Sequence, residues 1–186
     1  MRNTTKMVKT LYHGTNSIFE KFDPKYLNSD CAIDQYGSGY YFYDSIAPTI
    51  RHGNNVIFAN CKIEKILDEY QSANYILTKE NIENLILQSP DLDNCLTNFG
   101  DVEFESFEKV LANTVKLYKN IDILYALNAL GNDFFKYQNT HILLKNFKNL
   151  TGFNCLQKRF DEFSIWVMFD ENDIDIIKIV PWEEIR

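Results

Sequence analysis

Residues 8–15 read VKTLYHGT, which is the pattern of a strand that runs into a glycine. Val8, Thr10 and Tyr12 recur at every second position, as they do in a strand with two different faces. We therefore predict a strand that ends at His13. A histidine there, followed by Gly14, suits a site where a ligand approaches the backbone closely. The ordinary alternative is a strand-end histidine that only makes a structural hydrogen bond.

A second stretch, residues 37–45, reads GSGYYFYDS. Its two glycines predict a turn that leads into a short strand over Gly39–Tyr43 and delivers Tyr40 and Tyr41. The residues after the glycines do not complete a dinucleotide fingerprint, so the stretch is not a Rossmann signal. Without further information, Tyr41 is as well explained as a core residue.

The rest of the chain forms three zones. Residues 55–63 predict a longer strand, and the zone over about 64–150 predicts helices. The first helix is capped by Thr78, and the others cover 104–118 and 134–150. Strands return over 153–180, where FSIWVMF at 163–169 alternates. The order strands, helices, strands predicts an α+β protein with a split, mainly antiparallel sheet and a helical insert, in a single domain 1–186.

Composition narrows the classes of function. The chain has 186 residues, 19 Lys and Arg against 26 Asp and Glu, and a net charge of −7. This balance argues against a broad nucleic-acid-binding surface, although it leaves a small local site open. No apolar run is long enough for a membrane span, and no leader pattern is visible, so we expect a cytoplasmic protein. No metal-ligand spacing is present, and we expect four reduced thiols, at Cys31, Cys61, Cys95 and Cys155.

The two stretches together resemble the ADP-ribosyltransferase superfamily, in its His-Tyr-Glu branch that includes diphtheria toxin and the poly(ADP-ribose) polymerases. His13-Gly14-Thr15 matches the His-Gly-Ser at the end of the first strand in the polymerases. Residues 37–44 match their Gly-x-Gly-x-Tyr-Phe-x-Asp, with Tyr41 at the tyrosine position. A third segment, 152–170, resembles the last strands of compact phage and bacterial members, including an anti-CRISPR enzyme that acts on a type I-F complex.

The sequence departs from the family pattern at the catalytic acid. Ile165 stands where the polymerases have their glutamate, at the start of a strand. An acidic pair, Asp161 and Glu162, lies just upstream, and the anti-CRISPR enzyme carries a similar pair. The resemblance therefore implies that one of these two residues is the catalytic acid, and strand alternation puts Asp161 on the face of Ile165. A solvated turn before a strand is the ordinary alternative.

The family chemistry is cleavage of the bond between nicotinamide and ribose in NAD, the expected co-substrate. A carboxylate would stabilise the positive charge that grows on the ribose. The resemblance implies that Tyr41 stacks on the cationic ring, that His13 binds the adenosine-side ribose and that Gly14 grips the carboxamide. Thr15 and Tyr40 would complete the pocket. His52 or a neighbour would replace a second stacking tyrosine.

We therefore expect a mono-ADP-ribosyltransferase that acts on a protein, in a phage or bacterial conflict setting. Neither the acceptor nor the role of the helical insert can be read from the sequence. Two alternatives stay open. An NAD glycohydrolase would use water in place of the acceptor, and a non-catalytic domain of the same fold would bind NAD or ADP-ribose without an acid, as Ile165 suggests.

Overall fold

The computed structural model describes residues 6–27, 39–68, 77–90, 92, 112–113, 116, 123–135 and 139–185. The chain divides into two compact units. The first, called the sheet unit, takes in the described residues of 1–27, 39–69 and 152–186. The second, called the helical unit, takes in the described residues of 70–151.

The sheet unit contains one seven-stranded sheet whose strands follow the order β4-β5-β6-β2-β1-β3-β7. The parallel pair β4–β5 is the exception among antiparallel neighbours. The α+β class and the split, mainly antiparallel sheet are therefore confirmed. The strands are β1 (Met7–Thr15), β2 (Tyr40–Tyr43), β3 (Asn55–Ile63), β4 (Ile66–Asp68), β5 (Cys155–Arg159), β6 (Ser164–Met168) and β7 (Ile174–Pro181).

The apolar core of this unit lies on one face of the sheet, which we call the core face. Alternation along each strand puts Leu11, Phe42 and Trp166 on this side, and each is at most 2% exposed. Phe19 and Phe22, from the segment between β1 and β2, pack against the core. The opposite face carries the side chains of the alternate residues.

Most strand predictions are confirmed, and the errors have local causes. The strand over 55–63 has the expected bounds. β1 continues to Thr15 because β3 pairs with it as far as Asn55, so its predicted end at His13 is wrong. The assignment of residues 66–68 to the helical zone is also wrong, since they form β4 against β5. Three residues are too few for alternation to show.

Among its described residues the helical unit includes α1 (Lys79–Ile86), α2 (Ile123–Phe135) and α3 (Thr140–Thr151). Thr78 caps α1 as predicted: its side-chain hydroxyl accepts from the backbone N–H of Asn81 at 3.1 Å, and its own backbone N–H donates to the Asn81 side chain at 3.2 Å. The single helix predicted over 134–150 is instead the end of α2 followed by α3. The helix predicted over 104–118 lies, apart from 112–113 and 116, outside the described residues.

Asn154 joins four parts of the sheet unit and is fully buried. Its side-chain oxygen accepts hydrogen bonds from the backbone N–H of Glu64 and Lys65, at 3.0 and 3.3 Å. Its side-chain nitrogen donates to the carbonyl of Lys62 at 2.7 Å and to the carboxylate of Asp173 at 2.9 Å. All four hydrogen-bonding positions of the amide are therefore occupied by protein.

A bulge interrupts the pairing of β7 with β3. Ile176 is opposite Ala59 and Lys178 is opposite Phe58, so Ile177 is an extra residue on β7. Ile177 is 52% exposed. Its displacement lets the isoleucines before and after it both reach the core face.

Candidate functional site

The sequence-predicted site lies where β1 and β2 stop pairing. Nine residue pairs join β1 to β3, whereas β1 pairs with β2 at Tyr12 and Tyr43 alone among the described residues. One step further along, His13 Nδ1 lies 2.8 Å from the carbonyl oxygen of Tyr41. A carbonyl only accepts hydrogen bonds, so Nδ1 carries the proton. A side-chain hydrogen bond thus takes the place of the backbone ladder between the two strands.

His13 is held as a neutral ring. It is half-buried on the core face, with ring contacts to Phe22 at 5.4 Å and Phe42 at 5.7 Å. Burial lowers the pKa of His13 below its usual value, outweighing the hydrogen bond to Tyr41, which raises it. His52 lowers this pKa a little further. Because Nδ1 bears the proton, Nε2 of the neutral ring is a hydrogen-bond acceptor.

Gly14 is needed for a contact within the protein. A Cβ at this position would lie 2.1 Å from the carbonyl oxygen of Thr49 and 2.9 Å from Cβ of His52. Both residues belong to the 3₁₀ helix Ala47–His52, which packs on β1. The sequence predicts a ligand beside this glycine, whereas in the structure the helix occupies the space beside it. The same contact brings His52 next to Gly14.

The tyrosines of β2 separate to the two faces of the sheet. Tyr40 lies on the core face, is 5% exposed and donates to Oε2 of Glu171 at 3.3 Å. Burial, and next the charge of Glu171, raise the pKa of Tyr40. Tyr41 lies on the opposite face, half-buried and paired with Val167 of β6. Tyr40 is therefore a core residue in this fold, whereas Tyr41 is on the face that it shares with Tyr43.

Tyr43 is not among the residues predicted for the site, although alternation places it on the face of Tyr41. Its hydroxyl lies 2.7 Å from Nε2 of His52, and the two rings stack at 5.5 Å with 27° between their planes. The edge of Phe163 also contacts Tyr43 at 5.7 Å. His52 itself is exposed, and burial followed by the charge of Arg51 lowers its pKa.

The acidic pair Asp161 and Glu162 does not lie beside Tyr41. Asp161 and Glu162 are exposed in the turn of the β5–β6 hairpin, closed by the Phe160 N–H on the Phe163 carbonyl at 2.9 Å. The turn ends the alternation, so the predicted common face of Asp161 and Ile165 does not hold. Glu162 lies five positions before Val167, the partner of Tyr41, and five steps of extended chain span about 16 Å. The hairpin tip lies toward the other end of β2.

Three further residues of the matching segments have structural roles. Thr15 Oγ1 accepts from the N–H of Ser17 at 3.0 Å, which closes a turn. Asp44 accepts from the N–H of Ser164 at 2.6 Å and thereby fixes the end of β2 to β6. Ile165, at the position where the family has its glutamate, is half-buried and paired with Tyr43. Gly37 and Ser38 lie outside the described residues.

No group of three or more His, Cys, Asp or Glu side chains that could hold a metal occurs within the described ranges. Cys61 and Cys155 are buried free thiols, and burial raises the pKa of Cys61 to about 12. Cys31 and Cys95 are outside the described residues. In the part of the chain that the structure covers, no helix has both the length and the apolar character to cross a membrane.

The chain matches no protein-family profile and no curated protein. Among solved structures it is similar to the crystal structure of an anti-CRISPR protein, with 12% sequence identity and a TM-score of 0.41. The alignment covers 95% of this chain and all of that one. At this TM-score and identity, the likeness assigns neither a fold family nor an activity.

Proposed function

We propose that this protein is an NAD-dependent mono-ADP-ribosyltransferase with a protein acceptor, in a phage or bacterial conflict setting of the kind that the sequence resemblance implies. One observation carries the proposal. The two stretches that match the superfamily are far apart in sequence, yet His13 and Tyr41 are joined by a hydrogen bond at 2.8 Å. Gly14 and His52, both assigned to the same site from the sequence, are in contact beside them.

The chemistry of these side chains suits NAD. Nε2 of a neutral His13 accepts a hydrogen bond, and a ribose hydroxyl is a matching donor. The ring of Tyr41 offers a π-face to the cationic nicotinamide, an attraction of about 0.5–2 kcal/mol. The backbone of Gly14 supplies a donor and an acceptor to the carboxamide.

In the proposed reaction, the bond between C1′ of the ribose and the nicotinamide nitrogen breaks, and its electron pair neutralises the leaving ring. A nucleophile of the acceptor protein forms the new bond to C1′ and loses a proton. The acid pair Asp161 and Glu162 is the proposed source of the carboxylate that stabilises the cationic ribose and takes up this proton. Either residue fills the role only when the hairpin tip reaches the ribose.

A second candidate function is NAD or ADP-ribose binding without catalysis. The placement of the acids favours it, because the turn of Asp161 and Glu162 is toward the opposite end of the strand pair from Tyr41. Ile165, paired with Tyr43, adds no carboxylate there. The two candidates share the binding site and differ only in whether an acid reaches the ribose.

The test combines calorimetric NAD binding with incubation in labelled NAD, with and without bacterial lysate. Tyr41→Ala is expected to raise the Kd for NAD about tenfold, which corresponds to about 1.4 kcal/mol. Tyr26→Ala is the matched control, because Tyr26 is 65% exposed elsewhere in the sheet unit. Asp161→Asn and Glu162→Gln are compared with Asp175→Asn, which changes an exposed carboxylate on β7.

Four outcomes decide between the functions. Labelled protein bands that vanish in Asp161→Asn or Glu162→Gln support the transferase. Free ADP-ribose without bands indicates the glycohydrolase. NAD binding without turnover supports the non-catalytic domain and rejects the enzyme, and no NAD binding rejects both candidates.

A further inference from the structure

The contact between Tyr43 and His52 is not explained by the family motifs. The tyrosine hydroxyl and Nε2 lie 2.7 Å apart, and the rings stack at 5.5 Å. Tyr43 is fixed on both sides by its strand pairs with Tyr12 on β1 and Ile165 on β6. His52 is exposed at the end of its 3₁₀ helix, and among the described residues Tyr43 is the hydrogen-bond partner of its side chain. The geometry therefore makes Tyr43 the residue that orients His52.

The direction of this hydrogen bond and the tautomer of His52 depend on each other. When the hydroxyl donates to Nε2, that nitrogen must present a lone pair, so the ring is neutral and its proton is on Nδ1. Protonation of His52 would remove this acceptor. The other titratable groups near this ring are Arg51, beside it in sequence, and His13, whose own pKa is lowered by His52. Burial, and next the charge of Arg51, lower the pKa of His52.

We propose that Tyr43 is a positioning residue that donates a hydrogen bond to Nε2 of His52 and keeps the imidazole neutral, as the Nδ1–H tautomer, so that its open face stacks on a cationic nicotinamide ring. This inference rests on the proposed NAD site. A neutral imidazole can stack on a pyridinium ring, whereas an imidazolium would repel it. Tyr43 thus lets a histidine serve in place of a second stacking tyrosine.

The first test observes the tautomer directly in the ligand-free protein. Long-range ¹H–¹⁵N spectra resolve the three histidines of the chain, and a His52→Phe variant assigns the His52 signals. We expect an unprotonated Nε2 and a protonated Nδ1. In Tyr43→Phe the spectrum is expected to change to a mixture of tautomers, and the pKa of His52 is expected to rise. Tyr12→Phe, a neighbouring hydroxyl on the same face, is the control that leaves both unchanged.

The second test is a double-mutant cycle on NAD binding. Tyr43→Phe is expected to raise the Kd for NAD about fivefold at pH 7.5, and more at pH 6, because the ring is then protonated more readily. In the His52→Phe background, where no tautomer exists, the same substitution is expected to change the Kd less than twofold. The Tyr12→Phe control is expected to leave the Kd within twofold of the starting protein.

The outcomes separate this inference from the proposed function. A protonated Nε2 in the starting protein, or an unaltered tautomer in Tyr43→Phe, overturns the inference whatever the activity. Equal effects of Tyr43→Phe in both backgrounds overturn it too, because Tyr43 would then act without His52. If the tautomer is as expected but NAD does not bind, the proposed function fails and the stacking role fails with it. In that case the Tyr43–His52 hydrogen bond is only structural.

Discussion

Asn154 and His13 both lie in stretches that resemble superfamily motifs, and both are polar side chains among apolar neighbours, yet their hydrogen bonds differ. Asn154 is fully buried, and protein groups fill all four of its hydrogen-bonding positions. His13 is half-buried, donates from Nδ1 to one carbonyl and keeps an acceptor at Nε2. A saturated polar side chain is explained by the fold alone, whereas one with an unused position can recognise a ligand.

The largest expected effect concerns Asn154, whose hydrogen-bonding positions are all occupied by protein groups. Asn154→Ala leaves the N–H groups of Glu64 and Lys65 without their acceptor, and it is expected to lower the free energy of unfolding by about 3–5 kcal/mol. Urea denaturation followed by tryptophan fluorescence measures the change. Asn172→Ala is the control, because Asn172 is exposed in a turn. A loss below about 1 kcal/mol for Asn154→Ala would show that the hydrogen-bond hub is dispensable.

Gly14→Ala tests whether the helix beside His13 sets the geometry of the site. The added Cβ meets the Thr49 carbonyl, so the helix Ala47–His52 must move, and a loss of about 2–3 kcal/mol in stability is expected. NAD binding is expected to weaken as well. Gly131→Ala in α2 is the control, since its Cβ would meet side-chain atoms of Thr140 and Leu143, at 3.1 and 3.7 Å, and no backbone carbonyl. Normal stability in Gly14→Ala would contradict the packing argument.

Acid is expected to destabilise the protein through His13 and His52. Burial lowers the pKa of both in the folded state, whereas histidine in the unfolded chain titrates near 6.5. As the pH falls below about 6.5, the unfolded chain binds protons that the folded chain does not. Stability falls by at most about 1.4 kcal/mol per pH unit through His13, and by less through His52, because solvent screens the exposed ring. Above neutral pH this contribution is constant.

The variant His13→Gln shows how much of this pH dependence of stability comes from His13. Urea denaturation between pH 5.5 and 7.5 is expected to show a weaker pH dependence for this variant than for the starting protein. Equal slopes would mean that folding does not lower the pKa of His13, and the argument for a neutral ring in the site would be lost.

The smallest expected effect separates the two adjacent tyrosines. Tyr40→Phe removes the hydrogen bond to Glu171 and is expected to cost about 0.5–1.5 kcal/mol of stability. Because Tyr40 lies on the core face, the Kd for NAD is expected to change less than twofold. A large loss of NAD binding, measured by calorimetry, would show that Tyr40 belongs to the NAD site.

The sequence predicted those features that depend on near neighbours. Alternation gave the strand over 55–63, and the Thr78 cap gave the start of α1. The sequence did not predict β4, because that strand has too few residues for a pattern. It also did not predict the break between α2 and α3, because apolar residues at helical spacing continue on both sides of the break.

From the two quoted stretches, His13 and Tyr41 were expected to lie in one site, but the hydrogen bond between them was not predicted. The face on which Tyr43 lies follows from alternation. The contact of Gly14 with Thr49 was not predictable, since the two residues are 35 positions apart and no local pattern relates them. The exposed turn at Asp161 and Glu162 was foreseen as an alternative, and the structure adds that it lies toward the far end of the strand pair from Tyr41.

The bulge at Ile177 has a consequence for association between chains. Residues 174–180 read IDIIKIV, an apolar, β-branched segment of the kind that assembles edge to edge. β7 is the last strand on its side of the sheet in the part of the chain that the structure describes. The extra residue distorts the outer edge, the charges of Asp175 and Lys178 flank it, and Pro181 lacks an N–H to donate. An aggregation-prone sequence is thereby made a poor template for a further strand.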